Sequence, residues 1–312
     1  MNSLRPYLAI ARPDHWIKNV FVLPGIFLAY FFRPSLWNAA SPWRLLAGLA
    51  AVCLLSSSNY VLNEILDARY DRLHPTKKQR PVPSGQVRLP WAYAEWLALG
   101  LAGGALAFAI RRPFGVCGLL LWVMGTLYNV PPVRLKDLPY ADVLCESINN
   151  PIRLALGWYA AGFDAPPPLS MIMAYWMFGA FLMATKRFAE FREIGDRRTA
   201  AAYRKSFAYY DDERLLVSIL FYVALFAMFS GVFIARYHFE ALLAAPLVAY
   251  AIAYYLHLGF KPHSSVQYPE GLYKEHKLMG LVAAAFVAWV LLLFVELPAF
   301  DRWFAPLFFR EP

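Results

Sequence analysis

Asn59, Asn63, Asp67 and Asp71 recur at four-residue intervals where an apolar run, "WRLLAGLAAVCLLSSSNYVL", gives way to "NEILDARYDRLHPTKKQRP". At about 3.6 residues per turn this spacing lays one polar stripe along one helix face. Carboxylate and amide oxygens aimed at one point suit Mg2+, a hard cation that typically bridges one or two carboxylates to substrate phosphates. Glu64, three residues before Asp67, lies on the flank of the stripe and could join it directly or through water. His74, Lys77, Lys78 and Arg80 follow, and such bases fit the outer oxygens of a polyphosphate. A snorkelling, solvated helix end is the plainer account. Polar ladders at strict spacing beside a bilayer are rarely idle, however, so a metal–diphosphate site is expected here.

Two further stretches carry chemistry. "TKRFAEFREIGDRRTAAAYRKSFAYYDDERL" holds seven bases against three acids between positions 186 and 205. Lys186, Arg187 and Glu190 begin while the helix is still emerging and are read as functional; Arg192, Arg197 and Arg198 are read as ordinary charges of a cytoplasmic loop. In "ADVLCESINNPIRLALGWYAAG", Asp142, Glu146, Asn149 or Asn150, and Arg153 recur at three- and four-residue steps, an inward-facing stripe that lines a pocket. An arginine that deep in an apolar helix costs several kcal/mol unless paired, and the plainer account of the stripe is that Glu146 or Asp142 neutralises it. The loop before it, "YNVPPVRLKDLPYAD", adds Arg134 and Lys136.

These groups need a scaffold, and composition identifies it. The 312 residues are 60% hydrophobic and 16% charged; soluble domains sit near about 45–50% and 25%. The chain therefore reads as an all-α polytopic integral membrane protein. Nine segments are apolar and long enough to cross a bilayer: 19–35, 44–66, 91–110, 114–130, 141–161, 169–188, 215–236, 241–259 and 278–297. Lys and Arg divide 22 to 7 between the two sets of loops, with Arg153 inside a span. That asymmetry puts the N-terminus and both large charged loops in the cytoplasm, and explains the net charge without nucleic acid. The segment 1–18, interrupted by Arg5, Pro6, Arg12 and Pro13, reads as interfacial, and 1–312 as one domain. Cys53, Cys117 and Cys145 lie in apolar runs with no paired spacing, as small core residues do. Gly100 and Gly104 form a small-xxx-small pair expected to pack helices.

Together these residues resemble the UbiA superfamily of intramembrane prenyltransferases, and within it the decaprenyl-phosphate phosphoribosyltransferase branch. The branch motif N-D-x-x-D-x-x-x-D-x-x-H-P-x-K-x-x-R-P-x-x-x-G is met by Asn63, Glu64, Asp67, Asp71, His74, Pro75, Lys77, Arg80, Pro81 and Gly85, with Glu64 in place of Asp. "RPDHWIKNVFVLPGIF", which carries Lys18 and Asn19, is similar to the branch's N-terminal pattern. "DVLCESINNPIRLALG" resembles its fifth helix, "TKRFAEF" its K-R-x-x-E motif, and "YPEGLYKEHKL" the segment before its last helix. Glu146, Asn149 and Asn150 depart from the apolar residues expected there.

The resemblance implies nine transmembrane helices and Mg2+-dependent transfer of 5-phosphoribose from phosphoribosyl diphosphate to a polyprenyl phosphate, in a bacterial-type cytoplasmic (inner) membrane, for an arabinan cell-wall precursor. It implies Asn63, Asp67, Asp71 and Glu64 at the metal and Lys186 and Glu190 among the catalytic groups. Lys18, Asn19, His74, Lys77, Arg80, Arg134, Lys136, Asp142, Arg153, Arg187, Arg204 and Tyr210 bind substrate in that reading. A homo-oligomer is compatible with it. The typical family member has a second Asp-rich motif where this chain has Lys186 and Arg187, as suits a reaction that must hold more phosphate groups at once. Two alternatives remain: an aromatic prenyltransferase with a polyprenyl diphosphate donor, and a lipid transporter.

Overall fold

The structure, a computed structural model, describes residues 4–38, 42–72 and 77–303. In chain order the helices are α1 (Arg5–Ala11), α2 (Leu23–Phe32), α3 (Ser35–Asn38), α4 (Pro42–Asp71), α5 (Leu89–Ile110), α6 (Arg112–Asn129), α7 (Ala141–Ser147) and α8 (Asn149–Ala161). They continue with α9 (Leu169–Ile194), α10 (Arg197–Tyr203), α11 (Asp212–Tyr237), α12 (Ala245–Gly259), α13 (His276–Leu292) and α14 (Pro298–Trp303). Among the described residues there is no strand. Six helical runs are long and apolar enough to cross a membrane: Arg5–Phe32, Pro42–Asp71, Leu89–Ile110, Leu169–Ile194, Asp212–Tyr237 and Phe239–Gly259. The remaining three expected spans coincide with α6, with the pair α7–α8, and with α13.

The fifth expected span is not one helix. It breaks at Ile148, between α7 and α8. Pro151 lies one turn after Ser147 and offers no N–H to its carbonyl, which accounts for the interruption. The N-terminal run is also segmented: Arg12 adopts a left-handed conformation (φ 52°), and a 3-10 stretch over Pro13–Val22 leads into α2.

Apolar packing fixes the helices. One core joins Leu28, Val52, Leu55, Phe114 and Trp158; a second joins Phe181, Phe188, Phe207, Tyr210, Leu215 and Tyr255. A smaller cluster holds Ile10 against Val61, Ile65 and Val87. Helices α2 and α8 approach closely enough that a Cβ on Gly25 would strike the Leu154 carbonyl, and one on Gly157 the Val22 carbonyl. Of the expected glycine pair, Gly100 faces the Trp122 ring of α6, whereas nothing lies against Gly104. Outward-facing Leu101, Leu120, Leu220, Phe221 and Met228 are exposed, the surface a helix presents to lipid. The polar side chains gather instead where α4, α7 and α9 meet the loops that follow α4, α6 and α9.

Candidate active site

The stripe on α4 forms as its period predicts, and its oxygens meet cations from elsewhere. Oδ1 of Asp67 accepts from Lys136 Nζ at 2.5 Å and from Arg134 Nη2 at 2.9 Å. The same ammonium donates to Oδ1 of Asn63 at 3.2 Å and to Oδ1 of Asn129 at 2.8 Å. Three side-chain oxygens from two helices thus surround one positive charge. The loop after α6 holds it in place: Arg134 Nη1 donates to the Asn129 carbonyl at 3.1 Å, and its Nε pairs with Asp137 at 3.3 Å. Asp71, one turn further, pairs with Arg80 at 2.7 Å.

Other members of the first motif separate. Glu64 is buried and accepts from the Val82 N–H at 3.1 Å, so its carboxylate anchors the loop backbone on the flank of the stripe. His74 lies outside the described residues. Lys77 donates to the Tyr203 hydroxyl, which donates to Glu190 Oε1 at 3.0 Å. Burial pushes the ammonium groups of Lys77 and Lys136 down to about 8, against the pull of Glu190 and Asp67 respectively.

A second cluster surrounds Arg187, whose side chain is 1% exposed. Its Nε donates to Asp142 at 3.1 Å, its Nη2 to Glu146 at 2.7 Å and its Nη1 to Glu190 at 3.4 Å. Asp142 is fully buried and also accepts from the Tyr210 hydroxyl at 2.6 Å and the Ser206 hydroxyl at 3.2 Å. Tyr128 donates to Glu146 at 2.9 Å, and Arg204 Nη1 reaches the Tyr128 oxygen at 3.4 Å. The Arg204 Nε is buried without a hydrogen-bond partner among the described residues.

The expected pairing of Arg153 with Asp142 or Glu146 is not what forms. Both acids turn to Arg187, because the break between α7 and α8 separates the stripe into two levels. Arg153, buried, donates to Asn19 Oδ1 at 3.1 Å and, at 3.5 Å each, to the Asn149 carbonyl and the Ser56 hydroxyl. It has no carboxylate in ion-pair contact among the described residues. Lys186 likewise forms no ion pair among them, although Glu146, Glu190 and Lys18 all act on its charge. Lys18 lies 5.9 Å from the centre of the Tyr60 ring.

The α4 stripe, Arg134, Lys136, Lys77, Arg80, Arg204 and the Arg187 cluster therefore line one polar end of the bundle, while Asn19 and Arg153 sit deeper. Tyr128, Asn129 and Tyr203 belong to the site and escaped sequence reasoning. The only signal for the first two was a polar pair at the end of an apolar run, just before Pro131 and Pro132.

The donor set fits Mg2+. Asn63, Asp67 and Asn129 already hold a cation, the Lys136 ammonium, with hard oxygens, and Asp71 is one turn away. Among the described residues no group of three His, Cys, Asp or Glu side chains is placed to hold a metal ion, so the remaining ligands of such an ion would come from amides, water and substrate phosphate.

Apolar helices long enough to cross a bilayer thus enclose a polar site of carboxylates, amides and cations, the framework of an integral membrane protein with a charged site. The model of the UbiA prenyltransferase family matches residues 20–267, and the chain belongs to this family. It is 30% identical over 218 residues to the decaprenyl-phosphate phosphoribosyltransferase of Mycolicibacterium smegmatis, covering 69% of this chain and 65% of that one. It is 29% identical over 205 residues to the enzyme of the same name from Corynebacterium glutamicum, covering 64% and 58%. The chain thus spans 65% and 58% of the length of these two relatives, less than two thirds of either. The structure of a UbiA homolog from Archaeoglobus fulgidus bound to DMAPP and Mg2+ superposes with a TM-score of 0.67 at 21% identity, covering 91% of this chain and 98% of that one.

Proposed function

We propose that the protein transfers 5-phosphoribose from phosphoribosyl diphosphate to a polyprenyl phosphate, releasing diphosphate. One observation carries the reading: α9 supplies Lys186 and Arg187 to the site, where the typical family member is expected to have a second set of aspartates. A site that can bind one metal through α4 and carries cations on its other wall suits a donor with a 5-phosphate as well as a diphosphate, and an acceptor with a phosphate of its own.

In this mechanism an oxygen of the acceptor phosphate attacks C1 of the ribose while the bond from C1 to the diphosphate breaks, so the leaving group carries away the electron pair. Asn63, Asp67 and Asp71 would hold Mg2+, which would supply positive charge to the leaving oxygens. Arg134 and Lys136, released from Asp67, are near enough to hold the diphosphate. Lys77, Arg80 and Arg204 bind the remaining phosphate oxygens. Lys186, with Lys18 beside it, meets the acceptor phosphate, and Glu190 orients Lys77 through Tyr203. A phosphate that is already ionised needs no strong general base, so the residues act by orienting anions.

The same reading places nine crossings in the membrane, with residues 1–18 along its surface as part of a single domain over 1–312. It sets the N-terminus and the site on the cytoplasmic side of a bacterial inner membrane, supported by the charge asymmetry of the loops. Incubating the purified protein with Mg2+ and labelled phosphoribosyl diphosphate, or with a prenyl diphosphate and an aromatic acceptor, tests it. Label entering polyprenyl phosphate supports the proposal. Prenylation of the aromatic acceptor, or movement of lipid without diphosphate release, contradicts it.

A further inference from the structure

The face of α4 turned away from Asp67 and Asp71 carries a cavity of about 470 Å3, which shares Arg134 with the site described above. Its walls include Leu66, Val87 and Leu89, and its charged lining is Arg69, Arg72 and Arg134. Arg69 and Arg72, three residues apart, are neighbours on one helix face. Neither has a carboxylate in ion-pair contact among the described residues. Arg69 is held by its neighbour Tyr70, with a hydrogen bond of 2.5 Å to the hydroxyl and its guanidinium 4.5 Å from the ring centre. Arg134 lies 5.1 Å from the centre of that ring, and Arg72 Nε donates to the Pro83 carbonyl at 3.3 Å. Two exposed guanidinium groups thus sit at a concave surface with no carboxylate in ion-pair contact among the described residues.

The apolar half of the cavity says what kind of anion fits. Leu89 is exposed at the start of α5, Trp91 and Tyr93 are exposed just beyond it, and the outward face of α5 continues with exposed Leu97 and Leu101. Exposed aromatic residues at a helix end mark the level of the lipid headgroups. A soluble phosphate would satisfy the arginines and leave the apolar wall unmatched. A lipid with an anionic headgroup matches both.

We propose that this cavity binds the phosphate-bearing headgroup of an anionic phospholipid between Arg69 and Arg72, with the acyl chains running along α5. Interfacial arginines contribute a factor of about five each to such binding, so losing both costs about 30-fold. Native mass spectrometry of delipidated protein, titrated with phosphatidylglycerol and with phosphatidylcholine, measures it. Preferential retention of one phosphatidylglycerol is expected, weakened about 30-fold in R69Q/R72Q. The paired variant R197Q/R198Q, which removes two exposed arginines at the start of α10, is expected to bind as the wild type does. An unchanged thermal midpoint in phosphatidylcholine shows that R69Q/R72Q is folded. Equal binding of the two lipids, no loss in R69Q/R72Q, or the same loss in R197Q/R198Q overturns the site. Full displacement by inorganic phosphate overturns its assignment to a lipid.

Discussion

Two acidic clusters sit a few turns apart, and their cations hold them differently. On α4, Asp67 and Asp71 are met by Arg134, Lys136 and Arg80, all from loops, and the Asp67 side chain keeps 22% of its surface exposed. Around Arg187, the acids Asp142, Glu146 and Glu190 come from α7 and α9 and close on a guanidinium that has almost no access to solvent. Loop cations beside a partly open carboxylate can be exchanged for a metal and a substrate phosphate. A guanidinium saturated by three acids at once cannot leave without exposing buried charge. In the proposed function the first cluster is accordingly the binding surface, and the second is the fixed wall against which it works.

Removing the centre of the fixed wall has the largest expected effect. Arg187→Met leaves the fully buried Asp142, and the partly buried Glu146 and Glu190, without their common partner and should cost about 3–5 kcal/mol, seen as a sharply lower thermal midpoint in detergent. A midpoint within a degree or so of wild type would remove the distinction between the clusters. Tyr210→Phe deletes the hydroxyl that donates to Asp142 and should cost about 1–3 kcal/mol in the same assay. A neutral result would show that Asp142 is held by Arg187 and Ser206 alone.

The exchangeable cluster answers to a different test. Lys136→Met takes away the ammonium that Asn63, Asp67 and Asn129 now share, so Mn2+ binding without substrate should tighten by about tenfold. Looser binding would mean that the three oxygens are not a metal site. The smallest effect is with pH. The Lys77 and Lys136 ammonium groups, pushed down to about 8, are charged below that value and neutral above it. The kcat/KM for the phosphorylated donor should therefore fall as pH rises, by about two- to fourfold between pH 7 and 8. A flat profile to pH 9 would show that neither ammonium meets the donor before binding.

The sequence made one cluster far more legible than the other. Asn63, Asp67 and Asp71 share a single unbroken helix, so their four-residue period states their geometry. The Arg187 cluster draws on α6, α7, α9 and the loop after α10, and no period within one segment reports which of several arginines an acid will choose. The stripe Asp142–Glu146–Arg153 misled for that reason: Pro151 ends the register between α7 and α8, and Arg153 turns to Asn19 and Ser56. Glu64 reads in the sequence as a flanking member of the metal ladder, and its bond to the Val82 N–H depends on a loop fold that composition does not encode. Six of the expected apolar spans were readable because length and hydropathy alone define them.

The claim on which the rest depends is that Asp67 holds the metal-bound donor while the wall around Arg187 stays intact. Purified wild type and Asp67→Asn, matched for thermal midpoint, should be assayed with Mg2+, labelled phosphoribosyl diphosphate and polyprenyl phosphate. The account predicts labelled lipid and released diphosphate from the wild type, and a loss of about a thousandfold in the variant with no loss of folded protein. Transfer by Asp67→Asn at close to the wild-type rate would contradict it.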